Sequence, residues 1–267
     1  MNIGLANIVD LQRYPIHRLD SPEGAALVQQ CRDELAATAV CQLDGFLRLD
    51  AVEQVLAAAE ALVPQAWVSD QVHNVYFEPV PQHAEPDDPL AMVQHSSKHA
   101  IAYDLLPADL PLRVLYESPE MLAFVAAALG RDVLYRSADP LDALEIAIFD
   151  PGQELGWHFD NSEFSITLML QPALDGGAFD YRPAMRTHAD PNHAGVAAFL
   201  AGTSATPPID LNPQAGTLSL FQGHLAIHRV APVAGARSRI NAVLTYGAAP
   251  DMQLSDLTRQ LFYGRLA

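Results

Sequence analysis

The sequence predicts an α+β protein with a mainly β core, an antiparallel sandwich or jelly roll with helices packed on its outside. Two patterns carry this. Before Gly130, apolar residues recur at helical spacing between capping residues; after it, seven short runs rich in β-branched and aromatic residues follow, divided by Gly, Pro and Asp turns. Half of the 267 residues are hydrophobic, enough for a sizeable core.

In "SPEGAALVQQCRDELAATAV", Ser21 is a suitable N-cap, Pro22 stands at the first helical position, and Leu27, Val28, Cys31 and Leu35 share a face. A helix over 22–38 is expected. "LDAVEQVLAAAEALVP" repeats the pattern with Asp50 as cap and Pro64 as stop, and "SPEMLAFVAAALG" does so with Ser118, Pro119 and a terminating Gly130. Between the second and third helices, "FEPVPQHAEPDDPLAMVQHSSKHA" holds four prolines and little periodicity, so a long loop is expected there. The later runs "DVLYRSA", "LEIAIFD", "FSITLMLQ", "GAFDYRP", "GTLSLFQG", "LAIHRVAPV" and "RINAVLTYG" read as strands with no helix among them. "LDGGAFDY" reads as a strand-to-strand turn, since neither a helix start nor a lysine follows its glycines.

With no linker, repeat or low-complexity tract, one domain over 1–267 is expected. Its parts are a mainly helical support with a substrate loop (1–130), a β core (131–250) and a C-terminal segment (251–267).

Thirty-two acidic and fifteen basic residues give a net charge of −17, which repels phosphate backbones and anionic lipid. Nucleic acid and membrane are therefore not expected as partners; a small-molecule substrate is. The N-terminus lacks a basic start followed by an apolar run, and no apolar stretch reaches the roughly 18 residues of a membrane span. A cytoplasmic location is expected, with Cys31 and Cys41 serving as small apolar residues.

The chemistry centres on "GWHFDNSEF", in which His158 and Asp160 point the same way if the backbone is extended. A third ligand is expected from His228, 68 residues beyond Asp160 in "FQGHLAIHRVAPVAGARSRINAVLTYG". Two imidazoles and a carboxylate on one face of a metal leave its other positions open, the arrangement of non-haem Fe(II) oxygenases. Such an enzyme needs a fixed cation for the distal carboxylate of 2-oxoglutarate, a role suited to a bidentate arginine. Arg237, nine residues after His228, is the first choice and Arg239 the second.

These segments, with "YRSADPLDALEIAIFDPGQELGWHFDNSEFSITLMLQPALDGGAFDYRP" and the terminal "FYGR", resemble the Fe(II)- and 2-oxoglutarate-dependent oxygenases. More narrowly, they resemble the bacterial family of free-amino-acid halogenases and their hydroxylase relatives. The likeness covers most of 110–267 and thins towards the N-terminus. It implies a double-stranded β-helix, the cupin-like jelly roll, with Fe(II) as cofactor and 2-oxoglutarate and O2 as cosubstrates. In the halogenating relatives a small residue replaces the carboxylate ligand so that chloride can bind iron. Asp160 at that position implies a hydroxylase, acting on a free or lightly modified amino acid or a comparable polar metabolite.

For the substrate, Asn241, Val243 and Thr245 share the parity of Arg237. Asn161 follows the metal motif where a relative may place an acidic residue for a side-chain ammonium, and Trp157 is either a core residue or a wall beside the metal. Glu145, His95, Ser96, Ser97 and Lys98 are further candidates. His224, His188 and His193 are read as surface or loop residues. Turnover of a nucleotide or carrier-bound substrate, a non-catalytic binding protein and a zinc hydrolase are the competing readings.

Overall fold

The computed structural model describes residues 4–266. In chain order its elements are α1 (Pro22–Thr38), β1 (Val40–Leu43), α2 (Leu49–Leu62), β2 (Trp67–His73), β3 (Gln94–Ile101), α3 (Pro111–Glu117), α4 (Pro119–Ala128), β4 (Tyr135–Arg136) and β5 (Leu144–Phe149). There follow β6 (Leu155–His158), β7 (Ser165–Gln171), β8 (Phe179–Arg182), α5 (His193–Leu200), β9 (Ile209–Leu211), β10 (Leu218–Phe221), β11 (Ile227–Val230), β12 (Arg239–Leu244), β13 (Tyr246–Gly247) and α6 (Asp256–Tyr263).

Eleven strands form one antiparallel sheet in the order β1-β10-β7-β12-β5-β3-β6-β11-β8-β9, with β2 paired to β3. The sheet folds over where β3 passes from β5 to β6, a junction where Ser96 pairs with Leu155, Ser97 N donates to Glu154 O and Gly156 N donates to Ser96 Oγ. The larger layer, β1 to β3, then faces the smaller one, β6-β11-β8-β9, and residues from both line one cavity. This is the expected jelly roll.

Strand periodicity separates helix packing from the cavity. Ile166, Leu168 and Leu170 of β7, Leu218 and Leu220 of β10, and Ala242 and Leu244 of β12 turn outwards. They join the core formed with Leu27 and Cys31 of α1, Val52 and Val55 of α2, and Phe124 of α4. The alternate residues Ser165, Thr167, Met169, Ser219, Phe221, Arg239, Asn241 and Val243 turn inwards and line the cavity.

Helix α1 has the expected bounds, with Ser21 Oγ accepting the Gly24 amide, and α4 is capped by Ser118 Oγ accepting from Met121 N. Helix α2 corrects its expected cap. Arg48 occupies that position with no side-chain cap bond, because a guanidinium offers no acceptor to the helix amides; its Nε donates to the Ala6 carbonyl, and Asp50 sits in the first turn. The expected loop is also shorter: Gln94–Ile101 is strand β3, paired along its length with β2. The four prolines all precede residue 94, and the mixed polar run "QHSSKHAI" carries no apolar alternation to mark it. Strands β1 to β3 thus come from the half read as mainly helical. A further correction is α5, which lies between β8 and β9 in a stretch expected to hold no helix; His193 opens it, and Asn192 caps it by accepting from Gly195 N. Among the described residues, no helix is long and apolar enough to cross a membrane.

Candidate metal centre

His158 ends β6 directly opposite His228 of β11, and the two rings lie 4.1 Å apart between centroids. Asp160 is past the end of β6, where Phe159 N donates to Val75 O and Asp160 N to Gly223 O. Those bonds keep the segment extended, so Asp160 returns to the face of His158. Its Oδ1 lies 3.5 Å from His158 Nε2 and 3.4 Å from His228 Nε2. One ligand atom from each residue lies within 4.8 Å of the others.

The imidazole tautomers follow from their second nitrogens. His158 Nδ1 lies 2.8 Å from the Gly156 carbonyl, and His228 Nδ1 lies 2.9 Å from that of Ala226. Each carbonyl needs a donor, so Nδ1 carries the proton and Nε2 presents its lone pair to the centre. Burial, and then the neighbouring His228, push the His158 pKa down to about 4, which keeps this ring neutral and ligating. Burial by itself would raise the Asp160 pKa. Against that, a proton on either imidazole, that of His228 foremost, would face Oδ1 and favour the carboxylate, which holds this carboxyl well below the usual range. Asp160 Oδ2 accepts from Ser165 Oγ, which leaves Oδ1 facing the imidazoles. Two neutral nitrogens and one carboxylate oxygen converging on one side form a donor set that fits a divalent iron ion.

The cavity beside these ligands has a volume of about 140 Å³. Arg239 is 6 % exposed within its wall and donates to the Asn241 side-chain oxygen. Burial alone lowers its pKa to about 10, and no carboxylate pairs with it among the described residues. Arg237, the first choice from spacing, points elsewhere: it is exposed, and its Nε donates to Pro172 O at 2.9 Å. It lines a neighbouring cleft of about 460 Å³ that shares Met169, Leu211, Pro213 and Arg239 with the cavity. Strand β12 begins only at Arg239, so the turn before it, not the strand, sets the direction of Arg237.

Asn241 and Val243 line the cavity. Thr245 does not, because the strand breaks there and its carbonyl accepts from Ser137 N and Tyr116 Oη. Trp157 faces away from the metal side. It packs edge-on against Phe199, with Arg229 over its ring, and is a packing residue. Asn161 is exposed outside the cavity lining, and Ser97 is buried with its amide bonded to Glu154 O. Lys98 enters the cavity wall and pairs with Glu145, whose other oxygen accepts from Tyr263 Oη at 2.9 Å. Ser96 Oγ bonds His73 Nε2 and accepts the Gly156 amide, and exposed His95 bridges Asp70 and Glu154.

His224, read as a surface residue, is instead half-buried, with Nδ1 3.1 Å from the Asp160 carbonyl. Arg186 braces the same turn, donating to His224 O at 2.5 Å while its guanidinium lies over Phe159 at 4.2 Å. Sequence reasoning missed Arg186, Ser165 and Gly223. Only Ser165 left a signal, since it shares the inward parity of Thr167 and Met169.

The solved structures with this architecture include the epimerase SnoN from nogalamycin biosynthesis, described as non-heme and alpha-ketoglutarate-dependent. It is 14 % identical over 84 % of this chain and 84 % of that one, with a TM-score of 0.59. AviO1 from Streptomyces viridochromogenes is 16 % identical over 85 % and 96 %, with a TM-score of 0.55. A 2OG-Fe(II) oxygenase family oxidoreductase from Burkholderia pseudomallei is 16 % identical over 84 % and 94 %, with a TM-score of 0.52. At these identities the likeness is one of fold, that of the 2-oxoglutarate- and Fe(II)-dependent oxygenases. No curated protein matches the chain. The family model described as halogenase D matches residues 24–262, and the chain belongs to that family.

Proposed function

We propose that this protein is a non-haem Fe(II)- and 2-oxoglutarate-dependent hydroxylase that acts on an unactivated C–H bond of a small polar metabolite, foremost a free or lightly modified amino acid. The observation that carries the reading is the buried, carboxylate-free guanidinium of Arg239 in the same cavity as His158, Asp160 and His228. An unpaired cation in a low-dielectric wall needs an anion, and a dicarboxylate able to reach from it to the metal ligands supplies one.

In this reading His158, Asp160 and His228 hold Fe(II), and Arg239 with Asn241 anchors the distal carboxylate of 2-oxoglutarate. Iron, 2-oxoglutarate and O2 together supply the oxidising power for hydroxylation, with release of succinate and CO2. The chain's residues bind and orient. Ser165 fixes the Asp160 carboxylate, the Gly156 and Ala226 carbonyls fix the imidazoles, and the apolar walls Phe149, Phe179, Phe221 and Val230 exclude water. Hydroxylation is favoured over halogenation because the Asp160 carboxylate stands where a metal-bound chloride would need a vacancy. An amino acid is favoured by the resemblance to the free-amino-acid halogenases and their hydroxylase relatives, in keeping with the halogenase D family match.

Anaerobic titration of the apo-protein with Fe(II) and then 2-oxoglutarate tests the reading, with the visible metal-to-ligand charge-transfer band as readout. A saturable band is expected, after which amino acids that accelerate its decay in O2 identify the substrate class. Iron binding without the band would remove the 2-oxoglutarate assignment and favour a zinc hydrolase or a binding protein.

A further inference from the structure

Asp160 and Gly223 face each other at a separation that a side chain at position 223 would not permit. A Cβ on Gly223 would lie 1.8 Å from Asp160 Oδ2, 2.6 Å from its Cγ and 3.1 Å from its Cβ. The main chain of Asp160 has little room to retreat. Its amide donates to Gly223 O at 3.1 Å, while its carbonyl meets His224 Nδ1 at 3.1 Å and Arg186 Nη2 at 3.4 Å. The one movable member is the carboxylate. Turning it aside would withdraw Oδ1 from His158 and His228 and break the bond from Ser165 to Oδ2.

We propose that Gly223 is the positioning residue that admits a carboxylate to the third metal position, so that any side chain at 223 vacates this position even when Asp160 is retained. This rests on the reading of Asp160 as a metal ligand and extends it: whether the third position is filled or vacant is set jointly by residues 160 and 223. Position 223 acts by volume alone. Gly223 is outside the left-handed region, so alanine there carries no backbone strain of its own, and the nearest atoms it would meet all belong to the Asp160 side chain.

A double-mutant cycle on the full chain tests this with wild type, Gly223→Ala, Asp160→Gly and the combined variant. The readouts are Co(II) affinity and its visible d–d spectrum, and the Tm of the metal-free proteins. The expected result is that Gly223→Ala weakens Co(II) binding about 10- to 100-fold, the range for lost support around a metal ligand. Its spectrum should match that of Asp160→Gly, and adding Gly223→Ala to Asp160→Gly should change neither affinity nor spectrum. In the metal-free proteins, alanine at 223 should lower Tm only while Asp160 is present. If Gly223→Ala does not fold, folding of the combined variant supports the proposal and its failure to fold overturns it. Wild-type Co(II) affinity in Gly223→Ala, or an equal loss of Tm with and without Asp160→Gly, overturns it too. Failure of the metal reading looks different: wild type would bind no Co(II) while the metal-free melting temperatures still coupled, which would reduce the pair to a packing contact.

Discussion

Arg239 and Asn241 share the inner face of β12, and the guanidinium donates to the Asn241 side-chain oxygen with no carboxylate beside it among the described residues. In the proposed reading its anion is the distal carboxylate of 2-oxoglutarate. Arg239→Ala should raise the 2-oxoglutarate concentration needed for half-maximal turnover by about 10- to 100-fold, the size of a lost charge-assisted pair. Arg237→Ala should change it by no more than about threefold, as for an exposed charge. Steady-state kinetics against 2-oxoglutarate decide between them, and the reverse ranking would return the anchor to Arg237.

Asp160 contributes its Oδ1 to the metal side and keeps Oδ2 on Ser165. Asp160→Gly should abolish hydroxylation and, with chloride present, leave traces of halogenated product detectable by mass spectrometry. Ser165→Ala should retain turnover but weaken Fe(II) binding by about tenfold, because the carboxylate loses the bond that orients it. Unimpaired hydroxylation in Asp160→Gly would take this residue off the iron.

Tyr263 Oη lies 3.1 Å from Asp142 Oδ1 and 2.9 Å from Glu145 Oε2, and one phenol proton cannot serve two carboxylates. Burial, and then the Glu145 charge, raise the Asp142 pKa from 3.8 to about 7, so Asp142 carries a proton of its own below about that pH. With the folded pKa above the unfolded one, the stability linked to this proton is complete below about pH 4 and is lost as pH rises towards about 7. Asp142→Asn stays neutral throughout. Its Tm relative to wild type should climb across that window and level off above it; thermal melts at about pH 4, 5.5, 7 and 8.5 measure this. A difference that does not change with pH would show Asp142 to be ionised in the fold.

Asn74 closes the long segment between β2 and β3. Its buried amide donates to Glu78 O and Leu90 O, at 2.7 and 3.0 Å, and its oxygen accepts from Tyr76 N and Glu78 N. Asn74→Ala should cost about 1–3 kcal/mol, leaving buried backbone groups unpaired. Limited proteolysis should then cut within residues 78–92 at protease levels that spare the wild type. Equal resistance would mean that the apolar contacts of Val75, Tyr76 and Leu90 suffice to hold the segment.

By itself the sequence pointed to the class of this protein and to a candidate ligand set, His158, Asp160 and His228, that the fold brings together. Period-two alternation marked β7 and β12, capping residues marked α1 and α4, and His158 and Asp160 were legible because residues two apart on an extended chain point the same way, while His228 was legible from its segment with the following arginines and its family resemblance. The short strand β1 and the polar strand β3 were not legible, since what makes them strands is pairing with β10, β2 and β5. Only the tertiary structure separated the placements of Arg237 and Arg239, because strand β12 begins at Arg239, paired with Phe149 of β5, and the turn before it carries Arg237 to the surface. It also decided the meeting of Gly223 with Asp160. Nothing local distinguishes that glycine from one in any turn; its role arises where the backbone of a strand end 63 residues earlier is hydrogen-bonded against it.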